Sequence, residues 1–178
     1  MDFNISAFVK SAAAPSEAPV ISSSGVYAVL LRGPASLTGV TPGHDGLLYV
    51  GMTEDGLDAR NHFQHAHSGF STLRRSLGAL LKEGLGLQAI PRTPGASRSN
   101  VVNYRFTPAG EQALSGWMES NLLIAQSPLM GDIPAIEKDI IRLLEPPLNL
   151  TGWPNPQRAY LKHLRSLCVA EAEQARAA

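Results

Sequence analysis

One cysteine, Cys168, is all the thiol chemistry that 178 residues offer. No internal disulfide can therefore staple the chain, and no cysteine pair is spaced to hold zinc, so a reducing, cytoplasmic setting is expected. Long apolar runs are missing too. No stretch reaches the 18 or more residues that a spanning helix needs, which argues against membrane insertion. The first residues carry Asp2, a single Lys10 and no long apolar stretch, which argues against a signal peptide. Net charge is also absent, because 15 basic and 15 acidic residues cancel. That balance argues against a generic polyanion binder, since nonspecific nucleic-acid affinity scales with the phosphates neutralised.

What the chain does have is enough apolar content, 44%, for one ordinary core, so a single domain is the first expectation. Charge is unevenly spread. From Arg60 to Arg105 there are seven basic side chains, three histidines (His62, His65, His67) and a single acid, Glu83. Such a segment is either a solvated face or a surface for phosphates.

Residues 11 to 24 are small and proline-broken, and residues 1–23 read as a flexible leader. Val26 to Arg32 and Leu47 to Met52 are short, apolar and β-rich, as expected of two antiparallel hairpin strands. Leu57 to His67 and Ser71 to Lys82 read as helices, the second with Ser71 as its N-cap. Ile90 to Asn100 reads as a loop and Val101 to Phe106 as a strand. Thr107-Pro108 opens a helix to about Ser120. A strand from Leu122 to Gln126 follows, then a helix from Ile133 to Leu144 capped by Asp132 and ended by Pro146-Pro147. A last helix is expected to run to about Val169 and then fray. The expected fold class is α/β (α+β), a small, mostly antiparallel three-stranded sheet flanked by helices.

Three short segments bear on chemistry. Gly25-Val26-Tyr27 and Tyr49-Val50-Gly51 each place a tyrosine beside a glycine on a strand, Arg60 follows on the next element, and Glu137 opens a run that ends in Pro146-Pro147-Leu148-Asn149. Taken singly, a strand tyrosine is usually packing and an arginine usually surface. Taken in this order, over about 70% of the chain, the pieces resemble the GIY-YIG nuclease family. The resemblance implies a nuclease domain over 24–150 with a helical and loop insertion at about 70–106, and a helical extension over 151–178.

It also implies roles. Tyr27 and Tyr49 would orient or deprotonate water, Arg60 would contact the scissile phosphate through its always-charged guanidinium, Glu137 would hold one Mg²⁺ or Mn²⁺ ion, and Asn149 would brace the site or touch the substrate backbone. Many family members carry Tyr or His four residues after the helix arginine, where this chain has Gln64. His65 is the expected proton relay, with His62 as the other choice. Arg74 and Arg75 are adjacent, so both are not expected to face a core, and with Arg92 and Arg98 they are the candidate phosphate contacts. The activity implied is metal-dependent endonucleolytic hydrolysis of duplex or branched DNA. The alternative is a catalytically inactive nucleic-acid-binding module on the same fold.

Overall fold

Seven consecutive buried residues, Gly25–Leu31, form the strand around which a small sheet is built. The computed structural model describes residues 3–33, 35–59, 63, 67–95 and 97–177. In chain order its elements are α1 (Ile5–Lys10), β1 (Gly25–Leu31), β2 (Leu47–Thr53), α2 (Thr72–Leu81), β3 (Ala89–Ile90), α3 (Arg98–Val102), β4 (Arg105–Phe106), α4 (Pro108–Asn121), β5 (Leu122–Pro128), α5 (Ile133–Leu144) and α6 (Arg158–Ala177). They divide into two compact units, residues 1–61 with 119–156 and residues 62–118 with 157–178. The expected insertion over 70–106 falls in the second unit, as do residues 157–178 of the expected extension, whereas residues 151–156 belong to the first; one change of unit lies in the last turn of α4.

In the first unit the strand order is β2-β1-β5, and both pairings are antiparallel. The expected three-stranded antiparallel sheet is therefore present. Because side chains alternate across a strand, Val26, Ala28 and Leu30 of β1 point to one face with Val50 and Ala125, where Ile133, Ile140 and Ile141 of α5 complete an apolar core. Tyr27 and Val29 point to the other face. The helix that covers the core starts where Asp132 accepts the Ala135 N–H at 3.0 Å. It stops at Glu145, whose backbone is left-handed (φ 48°), before two prolines that cannot continue the ladder.

The amino-terminal segment corrects the expectation of a loose leader. Phe8 and Val9 of α1 are part of the same core, and Ala13 exchanges backbone hydrogen bonds with Ile124 at 3.0 and 2.9 Å. That bridge closes the open edge of β5, the kind of edge that invites pairing with another chain.

The second unit contains α2, α3, α6, most of α4, and the two-stranded antiparallel pair β3-β4. Helix α6 packs against β3, α2 and α3, and Leu161, Cys168 and Ala172 are its buried positions. Three local expectations change here. Val101 lies in a short helix, because Ser97 caps it by accepting the Ser99 N–H. Ala89–Ile90 is a strand. Helix α6 runs to Ala177 rather than fraying near Val169, as its Ala- and Glu-rich tail favours. Of the helix expected over 57–67, residues 57–59 form a turn, and Arg60, Asn61, His62, Gln64, His65 and Ala66 lie outside the described residues.

Candidate active site

The pairing register puts the two motif tyrosines on one face of the sheet. Tyr27 is opposite Gly51, and Val29 is opposite Tyr49, so Tyr27 and Tyr49 are diagonal neighbours with ring centroids 6.2 Å apart and planes inclined by 34°. The glycine of the second motif has a steric reason. A β-carbon on Gly51 would lie 2.5 Å from Cζ of Tyr27 and overlap its phenol oxygen. The missing side chain is therefore the space in which the Tyr27 ring lies. Tyr27 is buried, whereas Tyr49 is half-buried.

Asn149 completes the frame around Tyr49. Its Oδ1 accepts the Val50 N–H at 2.9 Å and its Nδ2 donates to the Val50 carbonyl at 2.8 Å. A side-chain amide here replaces the next strand at the free edge of β2, and the neighbouring Leu148 N–H donates to Leu48 O at 2.9 Å. Asn155 locks that turn by donating from Nδ2 to Pro147 O at 2.7 Å and to Asn149 O at 2.9 Å. Both ends of the Asn149 amide are thus engaged by the backbone of Val50, the residue next to Tyr49.

Glu137 lies on α5 one turn from Ile133 and one turn from Ile141, both buried, and is itself half-buried. A carboxylate at the margin of an apolar stripe is costly to leave uncompensated. Among the described residues no group of three or more His, Cys, Asp or Glu side chains is placed to share a metal ion. One glutamate is nevertheless a suitable donor for Mg²⁺, which keeps several waters and is bound through one or two carboxylates together with substrate phosphates. Arg60 and His65, with the alternative His62 and the divergent Gln64, lie outside the described residues.

A residue that no motif indicated is Gln126 on β5. It pairs with Tyr27 on the side away from Gly51, so alternation places it on the tyrosine face, and its buried Oε1 has no hydrogen-bond partner among the described residues. Only the pairing register reveals it.

The basic pair on α2 overturns an expectation. Arg74 is 0% exposed and Arg75 7%, so neither can meet DNA. Nη2 of Arg74 forms an ion pair with Oε2 of Glu111 at 2.9 Å and also donates to Ser115 Oγ at 2.9 Å. Arg75 Nη1 donates to the carbonyls of Ser68 and Gly69 at 3.1 and 2.9 Å. Two adjacent arginines are thus both buried, because each finds enough acceptors. The other two candidates remain accessible. Arg92 is half-buried with its guanidinium over the Phe70 ring, and Arg98 is exposed at the start of α3. Beside Phe70, His67 is held below its ordinary pKa by burial and then by the charge of Arg105. Burial likewise raises the Cys168 thiol, which leaves it a poor nucleophile.

Among the described residues no helix is long and apolar enough to cross a membrane. The family model for the GIY-YIG catalytic domain matches residues 34–167, about three quarters of the chain. The match begins after Gly25-Val26-Tyr27, so the place of Tyr27 rests on the geometry above. No curated protein and no solved structure matches the chain.

Proposed function

The chain belongs to the GIY-YIG nuclease family, and we propose that it is a divalent-metal-dependent endonuclease that hydrolyses DNA phosphodiester bonds. The observation that carries this reading is the tyrosine pair, 6.2 Å apart on one face of the sheet with Gly51 making room for it. The partial exposure of Tyr49 supports it as the group that orients the attacking water and receives its proton. Tyr27, buried beside it, fixes its position, and Asn149 acts at one remove by holding the β2 backbone at Val50.

Glu137 is the residue that would hold one Mg²⁺ or Mn²⁺ ion, which when bound neutralises charge on the phosphoryl and leaving oxygens. Arg60 is assigned to the non-bridging oxygens, where a guanidinium can form two parallel hydrogen bonds. His65, ahead of His62, would carry the proton onward at neutral pH. Water attacks phosphorus while the Tyr49 hydroxyl takes its proton and passes its own to the histidine, and the phosphorus bond to the sugar oxygen breaks, that oxygen leaving with a proton from solvent. Duplex or branched DNA in the cytoplasm is the proposed substrate.

Nicking of supercoiled plasmid in Mg²⁺, Mn²⁺ or EDTA tests the reading. Glu137→Gln should lower the single-turnover rate several hundredfold, equivalent to about 3 to 4 kcal/mol of transition-state stabilisation, with melting temperature and DNA affinity preserved. Cleavage above about a tenth of the wild-type rate would remove Glu137 from its role. A wild-type protein that binds DNA in a salt-sensitive way and leaves plasmid intact in both metals would instead be the non-enzymatic module.

A further inference from the structure

Ser68–Phe70 is a single 3-10 turn fixed from one side by buried side chains. Glu111 accepts from the Ser68 N–H and from Ser68 Oγ, each at 2.9 Å, while Arg75 donates to the carbonyls of Ser68 and Gly69. These bonds make the turn rigid, yet the side chain it carries, Phe70, is 68% exposed. A large aromatic ring held in water on a fixed backbone is surface that folding has not used.

The ring is bordered by cationic groups. The guanidinium carbon of Arg92 is 4.9 Å from the Phe70 centroid, and the His67 ring centroid is 5.3 Å away at 43°. Gly69 permits this closeness, since a β-carbon there would come within 2.5 Å of Arg92 Cγ and 3.0 Å of His67 Cε1. Beneath the ring several buried nitrogens lack a protein partner. His67 Nδ1, Arg92 Nε and Arg105 Nε have no hydrogen-bond partner among the described residues. Glu111, the carboxylate that acts on His67, is already engaged by Arg74. A cation held against an exposed aromatic ring matches a strand of nucleic acid, which offers phosphate and a flat π-surface together. A bare anion would leave the ring unused, and an apolar partner would have to desolvate Arg92.

We propose that Phe70, Arg92 and His67 form a platform on which an unpaired base of a nucleic-acid strand stacks, with the adjoining phosphate taken by Arg92 and Arg105. The proposal rests on the nuclease reading for the class of ligand and adds a substrate feature to it, namely splayed or single-stranded bases over an uninterrupted duplex. Every base has a π-face, so the platform confers no sequence preference.

Binding of the full chain to a short labelled single strand and to a blunt hairpin duplex, followed by anisotropy in EDTA, tests this. Phe70→Ala should weaken single-strand binding by about 5- to 150-fold, the range of one base–aromatic stack. Phe70→Tyr should retain most of the affinity, Phe70→Leu should not, and duplex binding should change little. Because Phe70 is exposed, all three variants should melt with the wild type. Equal single-strand affinity of the wild type and Phe70→Ala overturns the platform. So does rescue by leucine as good as that by tyrosine, or an equal loss on the duplex. Plasmid nicking in Mg²⁺, run in parallel, separates the two readings. A cleaving wild type whose Phe70→Ala variant binds normally refutes the platform alone, whereas the expected binding losses in a protein that never cleaves refute the nuclease alone.

Discussion

Arg74 and Arg92 come from the same cationic stretch and the same unit of the structure, and the fold uses them in opposite ways. Arg74 is enclosed, with its guanidinium on Glu111, on Ser115 and, at 3.5 Å, on the sulfur of Met118. Those three partners recur every three or four residues along α4 and so form one stripe of that helix. Among the described residues the Arg92 guanidinium meets the Asn100 side chain at 3.4 Å and the face of an exposed phenylalanine. The difference lies in the supply of acceptors. A helix that offers a carboxylate and a hydroxyl on its inner stripe can draw a guanidinium inward and turn it into scaffold. Where a neutral amide is the acceptor, the cation stays half-buried at the surface, able to take a phosphate. Density of positive charge along a chain therefore does not distinguish the two uses.

The largest expected effect breaks the enclosed side of this contrast. Arg74→Met should destabilise the protein by about 3 to 5 kcal/mol, because it leaves the Glu111 carboxylate buried without its counter-charge. Urea denaturation measures it, and a loss under about 1 kcal/mol would show that the pair is not structural. In protein that remains folded, the dependence of DNA affinity on salt should be that of the wild type.

Arg92→Ala should give the reverse pattern. Stability should fall by no more than about 0.5 to 1 kcal/mol, the worth of an exposed cation–π contact. The slope of log affinity against log salt should fall by roughly 0.7 on single strands or 0.9 on duplex, the contribution of one phosphate contact. An unchanged slope would make Arg92 a packing residue like Arg74.

This contrast also marks where the sequence was readable. Tyr27, Tyr49 and Gly51 are interpretable from short strands, and Glu137 to Asn149 from one helix with its cap and its terminating prolines, because each signal is local. The burial of Arg74 depends on Glu111, a partner 37 residues later, which no window of periodicity contains. For the amino-terminal segment the obstacle is composition. Small residues and prolines do suggest a loose chain, and the anchoring of Ala13 on β5 is a tertiary hydrogen-bond pair with no local signature. Val101 and Val102 are β-branched and read as strand, but a serine cap beginning at Ser97 outweighed that preference. Phe70 was unremarkable for a related reason. One aromatic in a polar stretch gains meaning only when its exposure and its cationic neighbours are known together.

The smallest expected effect concerns His67, which lies between the two arginine environments. Its pKa falls below the ordinary 6.5 through burial first, then the Arg105 charge, with Arg74 and Arg92 adding to the lowering and Glu111 opposing it. Within the window between the lowered folded value and about 6.5, the unfolded chain binds more protons than the folded one, so stability rises with pH there. The contribution is fully present above about pH 6.5 and is lost as pH falls through the folded pKa. The chain holds four other histidines, so the measurement that isolates His67 is a difference. Unfolding free energies of wild type and His67→Gln should be compared from about pH 7.5 down to about pH 5, with the wild type expected to lose stability relative to the variant. Saturation with a single-stranded oligonucleotide should reduce that relative loss, because phosphate at Arg92 and Arg105 offsets the charges that repel the His67 proton. A difference that stays flat without oligonucleotide would mean that neither burial nor the arginines around it lower the His67 pKa. One that falls equally with and without the strand would place the phosphate away from this group.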